Sequence, residues 1–177
     1  MSIHTQPTYH FSTQQAQGDV GEQRIAAFCA PVYRVRWATR AEQRRGLDLV
    51  LTHRETGDVT TVEVKTDRTA GRTGNAFIET VSVDTAGRRG WLYTSTADYL
   101  AYYIPGPGHL YLVRLAALRN ALAGRLSQYP ERRIANNGYH TLGRLVPLAE
   151  LRRVAETVVD LAKGLEAIPT MRSNHAD

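Results

Sequence analysis

The sequence predicts an α/β domain, and three observations carry that prediction. Short runs rich in Val, Thr, Leu and Tyr, such as "LDLVLTH" (47–53) and "VTTVEVKTD" (59–67), read as strands. Helical apolar spacing marks "GEQRIAAFC" near the start and "LAELRRVAETVVDLAKGL" (148–165) near the end. Gly- and Pro-bearing turns, "ETGD" (55–58) and "PGPG" (105–108), punctuate the runs between them.

Taken in order, residues 1–17 are rich in Gln, Thr and His without period and read as a flexible arm. A helix is predicted from Gly18 to Ala30, with Asp19 as N-cap and Pro31 as its stop. "YRVRWA" (33–38) is a strand, and "RAEQRRG" a polar, arginine-rich connection. Strands 47–53 and 59–67 form a hairpin about the Gly57 turn. "RTAGRTGN" (68–75) is a basic, mobile loop, "AFIETVSV" (76–83) a strand, "TAGRRG" (85–90) a basic turn and "WLYTS" (91–95) a further strand. Asp98 to Ile104 reads as a short tyrosine-rich helix, with Tyr99, Tyr102 and Tyr103 serving packing rather than base stacking. "LYLVRL" (110–115) is a strand leading into the helix "AALRNALAG" (116–124). "ERRIANNGYH" (131–140) reads as a loop, "TLGRLVP" as an edge strand and 148–165 as an amphipathic helix. The expected organisation is one domain over 18–165, with a frayed tail at 166–177.

Composition narrows the function. At 177 residues, 42% apolar and 22% charged, the chain is an ordinary soluble globular domain. Its net charge of +5 suits a polyanionic partner, nucleic acid before membrane. The single cysteine, Cys29, excludes an internal disulfide framework and agrees with a reducing compartment. No signal-peptide pattern opens the chain and no apolar run reaches ~18 residues, so a cytoplasmic protein is expected. His109, His140 and His175 lack zinc-ligand spacing with Cys29.

The chemistry concentrates in "VEVKTD" (62–67). Alternation puts Glu63 and Lys65 on one face of the strand and Val62 and Val64 on the other. Of 22 basic residues only Lys65 and Lys163 are lysines, so a compact ammonium falls on this strand in a chain that otherwise uses arginine. Asp48 opens the partner strand, which lets two carboxylates converge at one end of the sheet. Two close carboxylates repel, and a divalent cation resolves the conflict. Oxygen ligands with open positions suit Mg²⁺ or Mn²⁺, which lower the pKa of a bound water and stabilise charge on a phosphoryl group.

Asp48, the hairpin and Glu63-Val64-Lys65 together resemble the PD-(D/E)xK nuclease superfamily, over roughly residues 18–115. The resemblance implies a restriction-endonuclease-like mixed central sheet flanked by helices, to which the predicted 148–165 helix adds a C-terminal helical extension. It implies metal ligation by Asp48, Glu63 and the Val64 carbonyl, with Lys65 positioning the attacking hydroxide. Glu22, at helical spacing from Ile25 and Cys29, matches the acid that the first helix often donates, for a second metal or a metal-bound water. With Glu22 and one small domain, the chain looks most like the archaeal-type and phage Holliday junction resolvases. That implies a homodimer acting on branched DNA. Leu47 stands where the motif's name has Pro, and "NAFIETVSV" with everything after Leu115 departs from the resolvase pattern.

Each residue also has a plainer role. Asp48 can cap a turn, Glu63 and Lys65 can form an exposed ion pair, and Glu22 can suit the helix dipole. Glu79 is either a further acid of the site or the partner of an arginine. Arg40, Arg44, Arg45, Arg68, Arg72, Arg88 and Arg89 lie in loops flanking the site and would grip phosphates without reading sequence. Two rivals stand beside the resolvase reading: a site-specific restriction-type endonuclease, and a nucleic-acid-binding module that kept the fold without catalysis.

Overall fold

The computed structural model describes residues 11–163 and 168–173, with side chains from Val20 onward. In chain order the elements are α1 (Phe11–Cys29), β1 (Tyr33–Trp37), α2 (Arg40–Gln43), β2 (Leu49–His53), β3 (Val59–Thr66), α3 (Ala70–Thr73), β4 (Asn75–Val83) and β5 (Arg88–Arg89). There follow α4 (Trp91–Thr94), β6 (Tyr99–Ile104), β7 (His109–Arg114), α5 (Leu115–Leu122), β8 (Glu131–Ala135), β9 (His140–Pro147), α6 (Leu148–Val154) and β10 (Thr157–Asp160). Two sheets result. The central one has six strands in the order β1-β2-β3-β6-β7-β10, and the second has four in the order β5-β4-β9-β8. β3 and β6 pair in parallel, while every other neighbour in the central sheet is antiparallel. The expected mixed central sheet flanked by helices is therefore present.

The parallel pair decides where chemistry can sit. Parallel strands need a crossover, which here spans the chain between Thr66 and Tyr99 and holds α3, β4, β5 and α4. β6 is buried along its whole length, because both faces of the central sheet are covered. On one face Ile25, Phe28 and Cys29 of α1 pack on Val62, Val64, Tyr99, Ala101 and Tyr103. On the other, Leu100, Tyr102 and Ile104 meet Ala76 and Ile78 of β4, Trp91 and Leu92 of α4, and Leu115 and Leu118 of α5. A strand buried on both sides reads as a continuous apolar run. "YLAYYI" is such a run, which is why its tyrosine spacing passes for a helix in the sequence.

Other expectations also shift. α1 begins at Phe11, so Asp19 lies inside the helix and not at its N-cap. The first ten residues lie outside the described part. The 68–75 loop contains the helical turn α3, closed by Gly74 at φ +71°. "WLYT" is helical, started at Gly90 and stopped by an extended Ser95. "ERRIA" is a strand, β8, which makes β9 an inner strand and not an edge. The C-terminal extension is not one helix: α6 stops at Val154, and β10 adds an edge to the central sheet by pairing with β7. Of the predicted tail at 166–177, residues 166–167 and 174–177 lie outside the description, but Met171 is fully buried against the α1 face of the sheet. Its N–H bonds the Tyr33 hydroxyl at 2.7 Å. Among the described residues, no helix is long and apolar enough to cross a membrane.

Candidate active site

The site forms where the β2–β3 ladder runs out. Leu49 pairs with Val62, and the Asp48 N–H still donates to the Val62 carbonyl at 2.9 Å. One residue further the Asp48 side chain takes over: Oδ2 accepts the Val64 N–H at 2.7 Å. The aspartate is thereby fixed beside β3, one residue from Glu63. Alternation turns Val62 and Val64 into the core and sends Glu63 and Lys65 to the opposite face, beneath the crossover.

Glu63 is 3% exposed, and its Oε1 pairs with Lys65 Nζ at 2.5 Å. Its Oε2 is buried without a hydrogen-bond donor. The Ser95 hydroxyl beside it gives its proton to the Gly46 carbonyl at 2.6 Å. Gly46, at φ +74°, packs tightly into this corner: a Cβ there would come within 2.8 Å of Glu63 Oε2 and 2.7 Å of Ser95 Cα. Burial pushes the Glu63 carboxyl above its ordinary value, Lys65 opposes that shift, and Asp48 adds to it. For Lys65 burial disfavours the charge, but the Glu63, Asp48 and Glu79 carboxylates outweigh it and hold the ammonium protonated. Glu63 is buried and Lys65 half-buried, with its side chain 33% exposed, unlike the fully exposed ion pair of the plainer reading.

Glu79 reaches the same region from the crossover. Its Oε1 accepts the Trp91 N–H at 3.2 Å, and burial raises its carboxyl while Lys65 lowers it. No ion pair between Glu79 and an arginine is formed among the described residues. Three carboxylates, Asp48, Glu63 and Glu79, thus act on one ammonium.

That arrangement fits a divalent cation. Among the described residues no three or more His, Cys, Asp or Glu side chains are gathered as a ready-made cage. A buried carboxylate oxygen with no donor and an aspartate beside it are hard oxygen ligands of the kind Mg²⁺ takes. Glu22 is half-buried in α1, one residue after Gly21, which abuts β3 so closely that a Cβ would strike Thr66 Oγ1 at 1.9 Å. The helix therefore meets β3 at its C-terminal end, on the face of Val62 and Val64 and opposite the one that carries Glu63 and Lys65.

No family model and no curated protein matches the chain. Among solved structures it is similar to a bacterial homing endonuclease at 19% identity and a TM-score of 0.46, over 61% of this chain and 73% of that one. A likeness of that size carries no argument about activity.

The arginines lie around this centre and are all exposed. Arg40 is in α2, and Arg44 and Arg45 follow it; the Arg45 carbonyl accepts the Thr96 N–H at 2.8 Å, which brings that loop to the end of α4. Arg68 and Arg72 flank the turn after Asp67. Arg88 and Arg89 form β5, and the Arg89 guanidinium lies 4.4 Å over the Tyr93 ring. Sequence reasoning missed Ser95, Gly46 and the Trp91 N–H. Gly46 carried a signal, a glycine two residues ahead of the key aspartate; Ser95 and a backbone donor carried none.

Proposed function

We propose that this chain is a metal-dependent endonuclease that hydrolyses DNA phosphodiester bonds, with a structure-selective preference for branched DNA. The observation that carries the reading is the buried Glu63, with one oxygen on Lys65 and the other without a donor, beside Asp48. Burying a carboxylate with an unsatisfied oxygen costs free energy unless a ligand completes it. Carboxylate oxygens gathered around a single ammonium favour a hard divalent cation, Mg²⁺ or Mn²⁺.

Asp48 and Glu63 would hold the ion, with the Val64 carbonyl and Glu22 as further oxygen donors. When bound, the ion supplies Lewis-acid stabilisation of the phosphoryl oxygens and acidifies water. Lys65 donates hydrogen bonds to the attacking water and keeps positive charge where the phosphoryl group gains negative charge. The water oxygen would bond to phosphorus as the phosphorus–ester bond breaks, the water losing a proton to solvent and the leaving oxygen taking one up. Exposed arginines on the surrounding loops hold the backbone. The resolvase-like form of the reading includes a homodimer, which light scattering of the free protein would show.

A four-way junction and a linear plasmid, each with Mg²⁺, with Mn²⁺ and with chelator, test the reading. Junction cutting that needs the cation is expected, and Lys65→Ala and Asp48→Asn should each lower the rate by at least about 100-fold while DNA binding persists. Fixed-sequence plasmid cutting without junction preference would support the restriction-type endonuclease instead. Binding without cleavage by wild type under any cation would leave a nucleic-acid-binding module.

A further inference from the structure

Glu79 is placed with more care than a surface acid on an inserted strand needs. It stands at a bulge in β4, where pairing to β9 shifts register between Glu79 and Val81. Bulges re-aim side chains and concentrate beside functional sites. Its backbone is met by Gly90, where a Cβ would lie 2.6 Å from the Glu79 carbonyl oxygen and 2.8 Å from Cγ. Only glycine permits that approach, and the approach delivers the Trp91 N–H to Glu79 Oε1. The four-residue α4 that begins there ends at Ser95, which lines the corner at Glu63 Oε2. A helix of that length spans about 6 Å, so Glu79 and Glu63 bracket the ends of one short element.

The bracket matters because Glu63 has two claims on it. In the structure its Oε1 holds Lys65 at 2.5 Å. A cation at the same carboxylate competes for that electron density and weakens the ion pair. Glu79 is not in direct contact with Lys65 but lies within its field, on the same side of the sheet. We propose that Glu79 is a positioning residue that keeps the Lys65 ammonium seated when Glu63 turns to a divalent cation. This rests on the hydrolase reading of the same site. The crossover strand then does more than cover the core: it supplies the second anchor for the one lysine in the site.

The experiment uses the scarcity of lysine. With only Lys65 and Lys163 in the chain, the ¹⁵N-labelled protein has two side-chain ammonium signals, and Lys163→Arg assigns them. Lys163 is 73% exposed and serves as the solvent-exchanged reference. Glu79→Gln preserves the acceptor for the Trp91 N–H, so folding is expected to survive. In wild type the Lys65 signal should remain on adding Mg²⁺. In Glu79→Gln it should be present without Mg²⁺ and lost with it, and junction cleavage should fall about 10- to 100-fold at unchanged DNA affinity. Glu79→Asp should recover part of the rate. A Lys65 signal that survives Mg²⁺ in Glu79→Gln, with cleavage at the wild-type rate, overturns the role of Glu79 alone. Wild type that cuts no DNA, with a spectrum untouched by Mg²⁺ or Mn²⁺, overturns the hydrolase reading beneath it.

Discussion

At the scale of single residues, the site depends on one backbone position as much as on its charges. Gly46 combines a left-handed φ of +74° with space that Ser95 and Glu63 leave just wide enough for a hydrogen. An alanine there would be strained in its backbone and would press on Ser95 Cα, which is main chain and cannot step aside. Gly46→Ala should therefore destabilise the fold by at least about 2 kcal/mol, read as a lower denaturant midpoint at unchanged slope. It should also lower cation-dependent cleavage more than Gly57→Ala, since a Cβ on Gly57, also at positive φ, meets nothing. The carboxylates and the lysine of the site were legible in the sequence because hairpin pairing and two-residue alternation are local rules. Asp48 lies next to β3 because a short turn brings it there, and Glu63 and Lys65 share a face because every strand alternates. Ser95 and the Trp91 N–H were illegible because the crossover brings them to Glu63 and Glu79 through space. No spacing rule encodes that approach.

Elements show the same division. The β2–β3 hairpin, β4, β7 and α5 follow local pattern and were read close to their true bounds. β6 and α4 were exchanged in type, because burial on both faces removes the alternation that marks a strand, and "WLYT" has strand-type residues in a helical turn set by its packing. α6 and β10 were merged, since the helix ends at an extended Ala155 with no glycine or proline to announce it. In the β8–β9 hairpin only β9 was legible: β8, "ERRIA", is charged and largely exposed and reads as loop, while β9 pairs along β4 and buries Val146. Asp84, just past β4, accepts the His140 and Thr85 N–H groups, both at 2.8 Å, and faces His140 Nδ1 and Arg133, each at 3.1 Å. The His140 N–H leads in holding the Asp84 carboxyl below its ordinary value of 3.8, with Thr85 and the His140 ring adding to it. A depressed folded value means stabilisation that is complete above 3.8 and lost as pH falls through the folded value. Asp84→Asn should melt below wild type at neutral pH, and the gap should close as the pH is lowered past that point. A gap that stays constant into acid would show that this carboxylate does not tether the hairpin.

Over the whole molecule the positive charge is almost entirely arginine, and it is spread over strands, helices and loops rather than gathered in one helix. Guanidinium groups stay charged at every working pH and grip phosphate in a forked geometry, so such a surface holds a backbone without reading bases. Not every arginine is free to do so. Arg36 is committed to Glu42 at 2.8 Å through both of its terminal nitrogens, and Arg119 is bound to the Leu92 and Ser95 carbonyls behind the site. Arg44, Arg45, Arg68 and Arg72 have no ion pair among the described residues and lie in the segments that lead into β2 and out of β3. If these four contact phosphate, DNA affinity should fall linearly with salt on logarithmic axes, each contact contributing about 0.9 to the slope on duplex. Paired replacement of Arg44 and Arg45 by Ala, or of Arg68 and Arg72, should flatten that slope by about 2 in either case. The loss should be uniform across DNA sequences, because counterions and not base edges are being exchanged. Arg36→Ala should leave the slope unchanged, since its charge is already matched. Equal slopes for all three variants, measured by fluorescence anisotropy over a salt series, would show that the loops beside Asp48 and Glu63 are not where the polyanion lies.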